Sequence, residues 1–317
     1  MEKLSFKNGD TMPAIGLGTW KSDPGDVHDA VIAAIQSGYR HIDCAAIYGN
    51  ESEVGEALKK AFADGMVKRE ELWVTSKLWN NSHRREQIIP ALEKTLKDLQ
   101  LEYLNLYLVH WPIALNKDVT FPEGPDDFLS LEEVPITETW KGMEEAKHKG
   151  LAKHIGVSNF SEKKIRELLQ QSESKPEMNQ VEMHPYLQQK ELVAYCKEQG
   201  IHLTAYSPLG SGDRPARSKK ESDPVLMEDK TIHNIAKKHD CSPAQVLISW
   251  AVNRGTAVIP KSVNPKRIQQ NIDAAKINLS DDEMQTIAGL DKHHRFIDGA
   301  FWAMEGSPYS MEGLWNE

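Results

Sequence analysis

Cysteine is scarce in this sequence. The chain holds three, Cys44, Cys196 and Cys241. The count is odd and no CxxC pair occurs, which argues against a disulfide framework and fits a reducing compartment. Long apolar runs are missing as well. No window is apolar for long enough to span a bilayer. The opening MEKLSFKNGD lacks the apolar run of a signal peptide. The expectation is a cytosolic protein with no membrane partner. Positive charge is in deficit, with 38 Lys and Arg against 47 Asp and Glu and a net charge of −9. An acidic surface repels phosphate backbones, so nucleic acid is not an expected partner and the acidity reads as solubility. The 12 histidines include no HExxH motif and no Cys/His spacing suited to zinc, so no metal is expected.

What is present is alternation. Short apolar runs lie at 15–19, 41–45, 72–78, 104–109, 153–158, 178–183, 201–207 and 256–260. Amphipathic helical patterns separate them. In 51–64, Val54, Leu58, Ala61 and Phe62 share one face. In 161–171, Ser161 caps a stripe of Ile165, Leu168 and Leu169. Ser242-Pro243 and Asn264-Pro265 each open a helix, over 242–254 and 264–274, and Ser280 with Glu283 forms a capping box. Eight β-then-α units predict a parallel sheet closed into an α/β barrel of the (β/α)8 TIM type, a single domain over residues 1–317. Its 39% hydrophobic content is enough for a sizeable core.

The alternative, a doubly wound open sheet, calls for a glycine-rich fingerprint after the first strand. Gly16 and Gly18 are there, but the third glycine is missing and no helix follows at once. Ahead of the first strand, Asn8-Gly9 between apolar residues predicts a type I′ hairpin capping one end of the fold. The segments 112–136, 208–228 and 291–317 are too long for simple connections. They are expected as loops on the C-terminal face. The aromatic tail (Phe296, Phe301, Trp302, Tyr309, Trp315) is expected to pack against something. Arg214, Arg217, Lys219 and Lys220 read as a flexible, solvated loop, His293-His294 as a solvated surface pair, and His184 as packing.

The chemistry concentrates at strand ends. Asp43 lies in the second strand, with Tyr48 just after it. Lys77 is near the end of the third strand and His110 ends the fourth. A buried Asp and Lys need partners, and on adjacent strands they serve each other. A purely structural salt bridge would look the same. Tyr48 and His110 at the same face turn the reading towards catalysis. A lysine ammonium favours the phenolate, which predicts a Tyr48 pKa below its reference of about 10. Asp43 would hold Lys77 charged, and His110 would orient a carbonyl. Together they describe a site that protonates a developing alkoxide.

The stretches GYRHIDCAAIYGNE (38–51), SKLWN (76–80), LYLVHWP (106–112), IGVSNF (155–160), YSPLG (206–210) and IPKS (259–262) resemble the aldo-keto reductase family, closest in look to its aldehyde and aldose reductases. The resemblance covers essentially the whole chain. It implies that Asp43, Tyr48, Lys77 and His110 are catalytic and that NADPH lies across the barrel mouth. Tyr206 would stack on the nicotinamide, and Ser158, Asn159 and Gln180 would bind its carboxamide. Ser207, Leu209 and Ser211 would fold over the pyrophosphate. Lys261, Ser262 and Arg267 would hold the 2′-phosphate, with Asn271 near the adenine. Two cations flanking a helix start at Asn264-Pro265 agree with that last assignment on chemistry alone. Trp20, Ile47, Trp79, Trp111 and Trp302 would line an apolar substrate pocket. Asn105 and Gln270 depart from the commonest family pattern, where aspartate and glutamate are usual; Asn105 is expected to have little effect.

The reading is an NADPH-dependent reduction of aldehydes, including sugar aldehydes, to primary alcohols, with Tyr48 as general acid and no metal. The expected partner is a small carbonyl substrate, and the expected state is a monomer. The alternatives are a sugar-alcohol or ketone oxidoreductase of the same fold, and a non-catalytic NADPH-binding regulatory subunit.

Overall fold

The structure is a computed structural model describing residues 2–215 and 219–316. Among these residues, twelve strands are β1 (Lys3–Ser5), β2 (Thr11–Pro13), β3 (Leu17–Gly18), β4 (His41–Asp43), β5 (Trp73–Leu78), β6 (Leu104–Val109), β7 (Ala114–Leu115), β8 (Phe128–Leu129), β9 (Ala152–Ser158), β10 (Met178–Glu182), β11 (His202–Tyr206) and β12 (Ala257–Val258). The helices are α1 (Asp26–Gln36), α2 (Glu51–Ala63), α3 (Arg85–Leu99), α4 (Ile136–His148), α5 (Glu162–Leu169), α6 (Lys190–Gln199), α7 (Lys230–Lys238), α8 (Pro243–Asn253), α9 (Pro265–Asp273), α10 (Asp281–Ala288) and α11 (Met311–Trp315).

Eight strands form one parallel sheet in the order β3-β4-β5-β6-β9-β10-β11-β12. Parallel bridges Ile15↔Val258 and Gly18↔Lys261 join its two edges and close the barrel. Closure removes the open edges of the sheet. It also explains the glycines. A Cβ on Gly18 would lie 2.7 Å from the Ile259 carbonyl oxygen, and one on Gly16 would lie 2.6 Å from His41. Gly18 permits close approach across the seam, and Gly16 makes room for the His41 ring of β4. The first and last strands are shorter than the predicted 15–19 and 256–260 because only part of each run pairs regularly at the seam.

The hairpin sits on the N-terminal mouth of the barrel. β1 and β2 pair antiparallel. Gly9 has φ +93°, whereas Asn8 is absent from the positive-φ residues. That corrects the type I′ prediction, which needs positive φ at both central positions. Asn8 closes the turn with its side chain instead, accepting from the Asp10 N–H at 3.1 Å. Phe6 then plugs the mouth. It stacks on Trp73 at 5.0 Å and meets His154 at 4.3 Å and His202 at 4.8 Å. Asp10 reaches His154 at 2.9 Å. Phe6→Ala should lower unfolding free energy by about 3 kcal/mol in urea melts, the low end for a buried Phe→Ala change.

The outer helices begin where their caps predict. The Asn264 side chain accepts from the Arg267 N–H at 3.1 Å to open α9. Ser242 with Gln245, and Ser280 with Glu283, form reciprocal capping boxes. In α2, Val54, Leu58 and Ala61 are buried against the sheet, as their spacing predicts. Asn105 is a strand-start tie. Its Oδ1 accepts from the Val74 N–H at 3.0 Å and from Arg69 at 2.9 Å, at the end of β6 remote from His110.

The long segments carry structure the sequence did not reveal. Residues 112–136 contain the short antiparallel ribbon β7–β8. The tail forms α11 and packs as expected, with Trp302, Leu314 and Trp315 buried. The Tyr309 hydroxyl donates to the Leu129 carbonyl and accepts from the Ala114 N–H, fixing the tail on that ribbon. The solvated-loop reading fails for Arg214. This residue is buried, pairs with Asp223 and lies over the Phe296 ring. Arg217 lies outside the described residues. Lys219 and Lys220 are exposed. His294 is also not a free surface residue. It approaches Asp223 at 3.4 Å and packs edge-on to Phe296. His184 is buried and bonded to Glu182 at 2.8 Å. No helix among the described residues is long and apolar enough to cross a membrane.

Candidate active site

The C-terminal mouth opens into a cleft of about 1110 Å³. The period of two along each strand decides what reaches it. On β4, β5, β9, β10 and β11, alternate residues point inward. Asp43, Ser158, Gln180 and Tyr206 line the cleft from these strands, and Lys77 meets Asp43 behind its surface.

Lys77 is fully buried and Asp43 nearly so. Lys77 Nζ donates to Asp43 Oδ1 at 2.5 Å and to the Cys44 carbonyl at 2.8 Å. Gln180 Nε2 donates to Asp43 Oδ2 at 2.7 Å. Both carboxylate oxygens are therefore satisfied. Burial works against the ammonium, but Asp43, with Tyr48 and Cys44 adding to it, more than offsets that and lifts the Lys77 pKa above its usual value. Lys77 stays charged.

Tyr48 follows in a 3₁₀ turn, Ala46–Tyr48. Lys77 Nζ lies 5.2 Å from the centre of its ring, and the His110 ring lies 5.9 Å away, edge-on. Here the sequence expectation is overturned. Burial pushes the phenol up to about 12, and the lowering by Lys77 does not make up the difference. Desolvation of a phenolate in this pocket exceeds the attraction of a lysine already engaged by Asp43. Burial also holds His110 well below its ordinary value, with Lys77 and His83 adding to the effect. His110 is a neutral imidazole beside a neutral phenol.

A hydrogen-bond chain continues around the mouth. The Tyr206 hydroxyl donates to Asn159 Oδ1 at 2.7 Å. Asn159 Nδ2 donates to the His110 carbonyl at 2.9 Å, and Ser158 Oγ donates to the Gln180 carbonyl at 2.8 Å. Asn159, Ser207 and Ser211 all hold positive φ, at 63°, 49° and 45°. Left-handed backbone at non-glycine residues is costly and concentrates at binding sites. Leu209 lines the same wall.

At the far end, Lys261, Ser262, Arg267, Gln270 and Asn271 line the cleft around the start of α9. Between the ends stands Lys21, which the sequence reading passed over. Its Nζ is buried without a hydrogen-bond partner and sits 3.8 Å from Asp213 Oδ1 across the cleft. Burial depresses its pKa to about 8; Asp213 opposes that, while Lys261 deepens it. A buried, under-partnered cation beside a second lysine fits an anionic ligand. Only the tertiary structure gives that signal, because Lys21 and Asp213 are far apart in sequence.

The part of the cleft beside Tyr48 and His110 is apolar. Trp20, Ile47, Trp79 and Trp111 line it. Trp302 does not: it is fully buried and backs Trp79 at 5.9 Å and Trp111 at 5.8 Å. That corrects its placement on the pocket surface. The rim aromatics are instead Phe121 and Phe301, which are 51% and 44% exposed. The sequence singled out their loops. It did not show which rings face inward.

The aldo/keto reductase family pattern matches residues 14–292. An aldo/keto reductase of Synechocystis is 54% identical over 317 residues, covering 100% of this chain and 97% of that protein. Aldo-keto reductase family 1 member A1 of Homo sapiens is 50% identical over 291 residues, covering 91% and 89% respectively. The structure of the aldose reductase from Schistosoma japonicum superposes with a TM-score of 0.87 at 40% identity, over 95% of this chain and 96% of that one. With a closed eight-stranded barrel, Tyr48, Lys77, Asp43 and His110 gathered at its mouth, and a match along nearly its whole length, this chain belongs to the aldo/keto reductase family of oxidoreductases.

Proposed function

We propose that the protein reduces aldehydes to primary alcohols with NADPH, Tyr48 serving as the proton donor. The observation that carries this reading is the buried constellation at the mouth. A neutral phenol and a neutral imidazole face an apolar pocket, and a fixed ammonium lies buried behind the phenol ring.

The cleft suits an extended dinucleotide. Tyr206 offers a ring face, and Gln180, with its amide nitrogen on Asp43, keeps its oxygen free for a carboxamide N–H. Ser158 and Asn159 flank it. Lys21 offers a cation without a hydrogen-bond partner midway, and Ser207, Leu209 and Ser211 cover that stretch. Lys261, Ser262 and Arg267 surround the α9 N-terminus, where a phosphomonoester gains both side-chain charge and helix-end N–H groups. Asn271 and Gln270 border the adenine end. When bound, NADPH supplies the hydride.

The chain's own groups do the rest. His110, neutral, donates a hydrogen bond that orients the carbonyl oxygen towards Tyr48. Tyr48 transfers its phenolic proton to that oxygen as negative charge develops there. Lys77 stabilises the phenolate left behind, so its worth is realised in the transition state and not in the resting phenol. Asp43, braced by Gln180, holds Lys77 in place. Trp20, Trp79 and Trp111 exclude water from the reacting oxygen.

The test is NADPH consumption with a panel of aldoses, ketones and aromatic aldehydes ranked by kcat/KM. Aldehydes should lead the ranking; a ranking led by ketones, or oxidation of sugar alcohols exceeding reduction, would overturn the aldehyde assignment. Cofactor choice has its own check. Lys261→Ala with Arg267→Ala should raise KM for NADPH about 10–100-fold, the worth of charge-assisted hydrogen bonds. KM for NADH should stay nearly constant. Equal effects on both cofactors would contradict the 2′-phosphate assignment.

A further inference from the structure

Glu182 is a buried carboxylate that the proposed chemistry does not use. It ends β10, two residues beyond Gln180 and on the same side of the strand. Its relative exposure is 0%. Burying a carboxylate this deeply is costly unless donors surround it. Three are in reach: the Phe296 N–H at 2.6 Å on Oε1, the Ile297 N–H at 2.7 Å on Oε2, and His184 Nε2 at 2.8 Å on Oε1. Two of the three belong to consecutive backbone amides of the tail.

Those amides begin the outer wall of the substrate pocket. Ile297, Asp298, Ala300, Phe301 and Met304 all line the cleft. Several contacts hold the wall: Trp302 is buried behind it, Lys220 lies 3.3 Å from the Asp298 carboxylate, and two further ties act on its first residues. Glu182 grips its start, and Trp315 Nε1 donates to the Asp298 carbonyl at 2.7 Å. Trp315 is itself set in α11, whose final carbonyls accept from the buried Lys164 ammonium. The buried Trp302 ring and the 3₁₀ turn Ala300–Trp302 anchor the far part of the wall, but Phe296–Asp298 precede that turn and lie outside any helix or strand, so these ties fix the place of their backbone.

We propose that Glu182 is a specificity-determining positioning residue: it clamps the 296–304 wall to the barrel and so sets the reach of the pocket for large aldehydes, without contacting substrate. This inference rests on the reduction proposed above. A small aldehyde is held by Tyr48, His110 and Trp20 and does not extend to the wall. An aldehyde with a second ring does.

Glu182→Gln keeps the size of the side chain but leaves one tail amide facing an NH₂ group. Two measurements on the full chain test the idea. By hydrogen exchange, the amides of Phe296 and Ile297 should exchange about tenfold or more faster, with the barrel strands unchanged. In steady-state kinetics, KM for 4-benzyloxybenzaldehyde should rise about tenfold with kcat little changed, while kcat/KM for propanal and the Kd for NADPH stay within about twofold. Unchanged exchange at 296–297, or an equal loss on both aldehydes, would overturn the proposal. A wild-type protein that reduces neither aldehyde would remove the reductase reading, and exchange alone would then decide the clamp. If Glu182→Gln does not fold, Trp315→Phe loosens the same wall from its other tie. It should give the same split between substrates, and a uniform loss would again count against the clamp.

Discussion

Tyr48→Phe is expected to cut aldehyde reduction by about 10²–10⁴-fold in kcat while leaving NADPH affinity within about twofold. The change removes one hydroxyl and keeps the ring between Trp20 and His110. Only the proton donor is lost, so the loss should fall on turnover and not on binding. NADPH consumption with an aldehyde, together with fluorescence titration of the cofactor, separates the two. Near-wild-type turnover would remove Tyr48 from the mechanism. The pH profile follows from the same residue. Reduction needs the protonated phenol, which burial holds up to about 12. Tyr48 ionisation should therefore leave kcat/KM for reduction flat from neutral pH to about pH 11, with a decline beyond. The linkage to stability has the same sign. Between the unfolded value of about 10 and the folded value near 12, the folded state binds more protons. Stability contributed by the neutral phenol is therefore lost as pH rises through that window.

Lys77→Met should be damaging in two separable ways. It strands Asp43 in the barrel with Gln180 as its remaining side-chain donor. An uncompensated buried charge of this kind costs about 3–5 kcal/mol, which urea unfolding would register. It also removes the cation proposed to stabilise the Tyr48 phenolate, so kcat should fall by about 10²-fold or more. The double variant Asp43→Asn with Lys77→Met distinguishes a structural pair from a catalytic one. Replacing both partners by neutral groups should restore most of the stability, because buried ion pairs are close to neutral overall. It should not restore turnover. Recovery of both together would mean that the pair serves only the fold.

Much of the architecture was legible because its determinants are local. Alternating strand and helix periods, the caps at Ser242, Asn264 and Ser280, and a missing third glycine after Gly18 all act within a few residues. They were enough to specify a closed barrel. The proposed catalytic set was legible for a related reason. Asp43, Lys77 and His110 each stand at a strand end inside a distinctive stretch, and strand order follows chain order through this half of the barrel.

Four features were decided only by the tertiary structure. The direction of the Tyr48 pKa depends on how completely the surrounding wall excludes water, and a sequence shows the neighbouring charge but not the desolvation. Lys21 and Asp213 meet across the cleft, so neither gives a local sign. Trp302 and Phe301 are adjacent in sequence, yet one is buried behind the pocket and the other stands on its rim, because the single 3₁₀ turn that carries them is too short for a sequence period to show which side chain turns inward. Arg214, read as solvated, is buried because Asp223 and Phe296 come to it from other segments. The sequence by itself determined the barrel and the meeting of Asp43, Tyr48, Lys77 and His110 at its mouth, through patterns of short range. Tertiary packing decided the protonation of Tyr48, the shape of the pocket and the ties that hold the tail, because burial and contacts between distant segments exist only once the chain has closed.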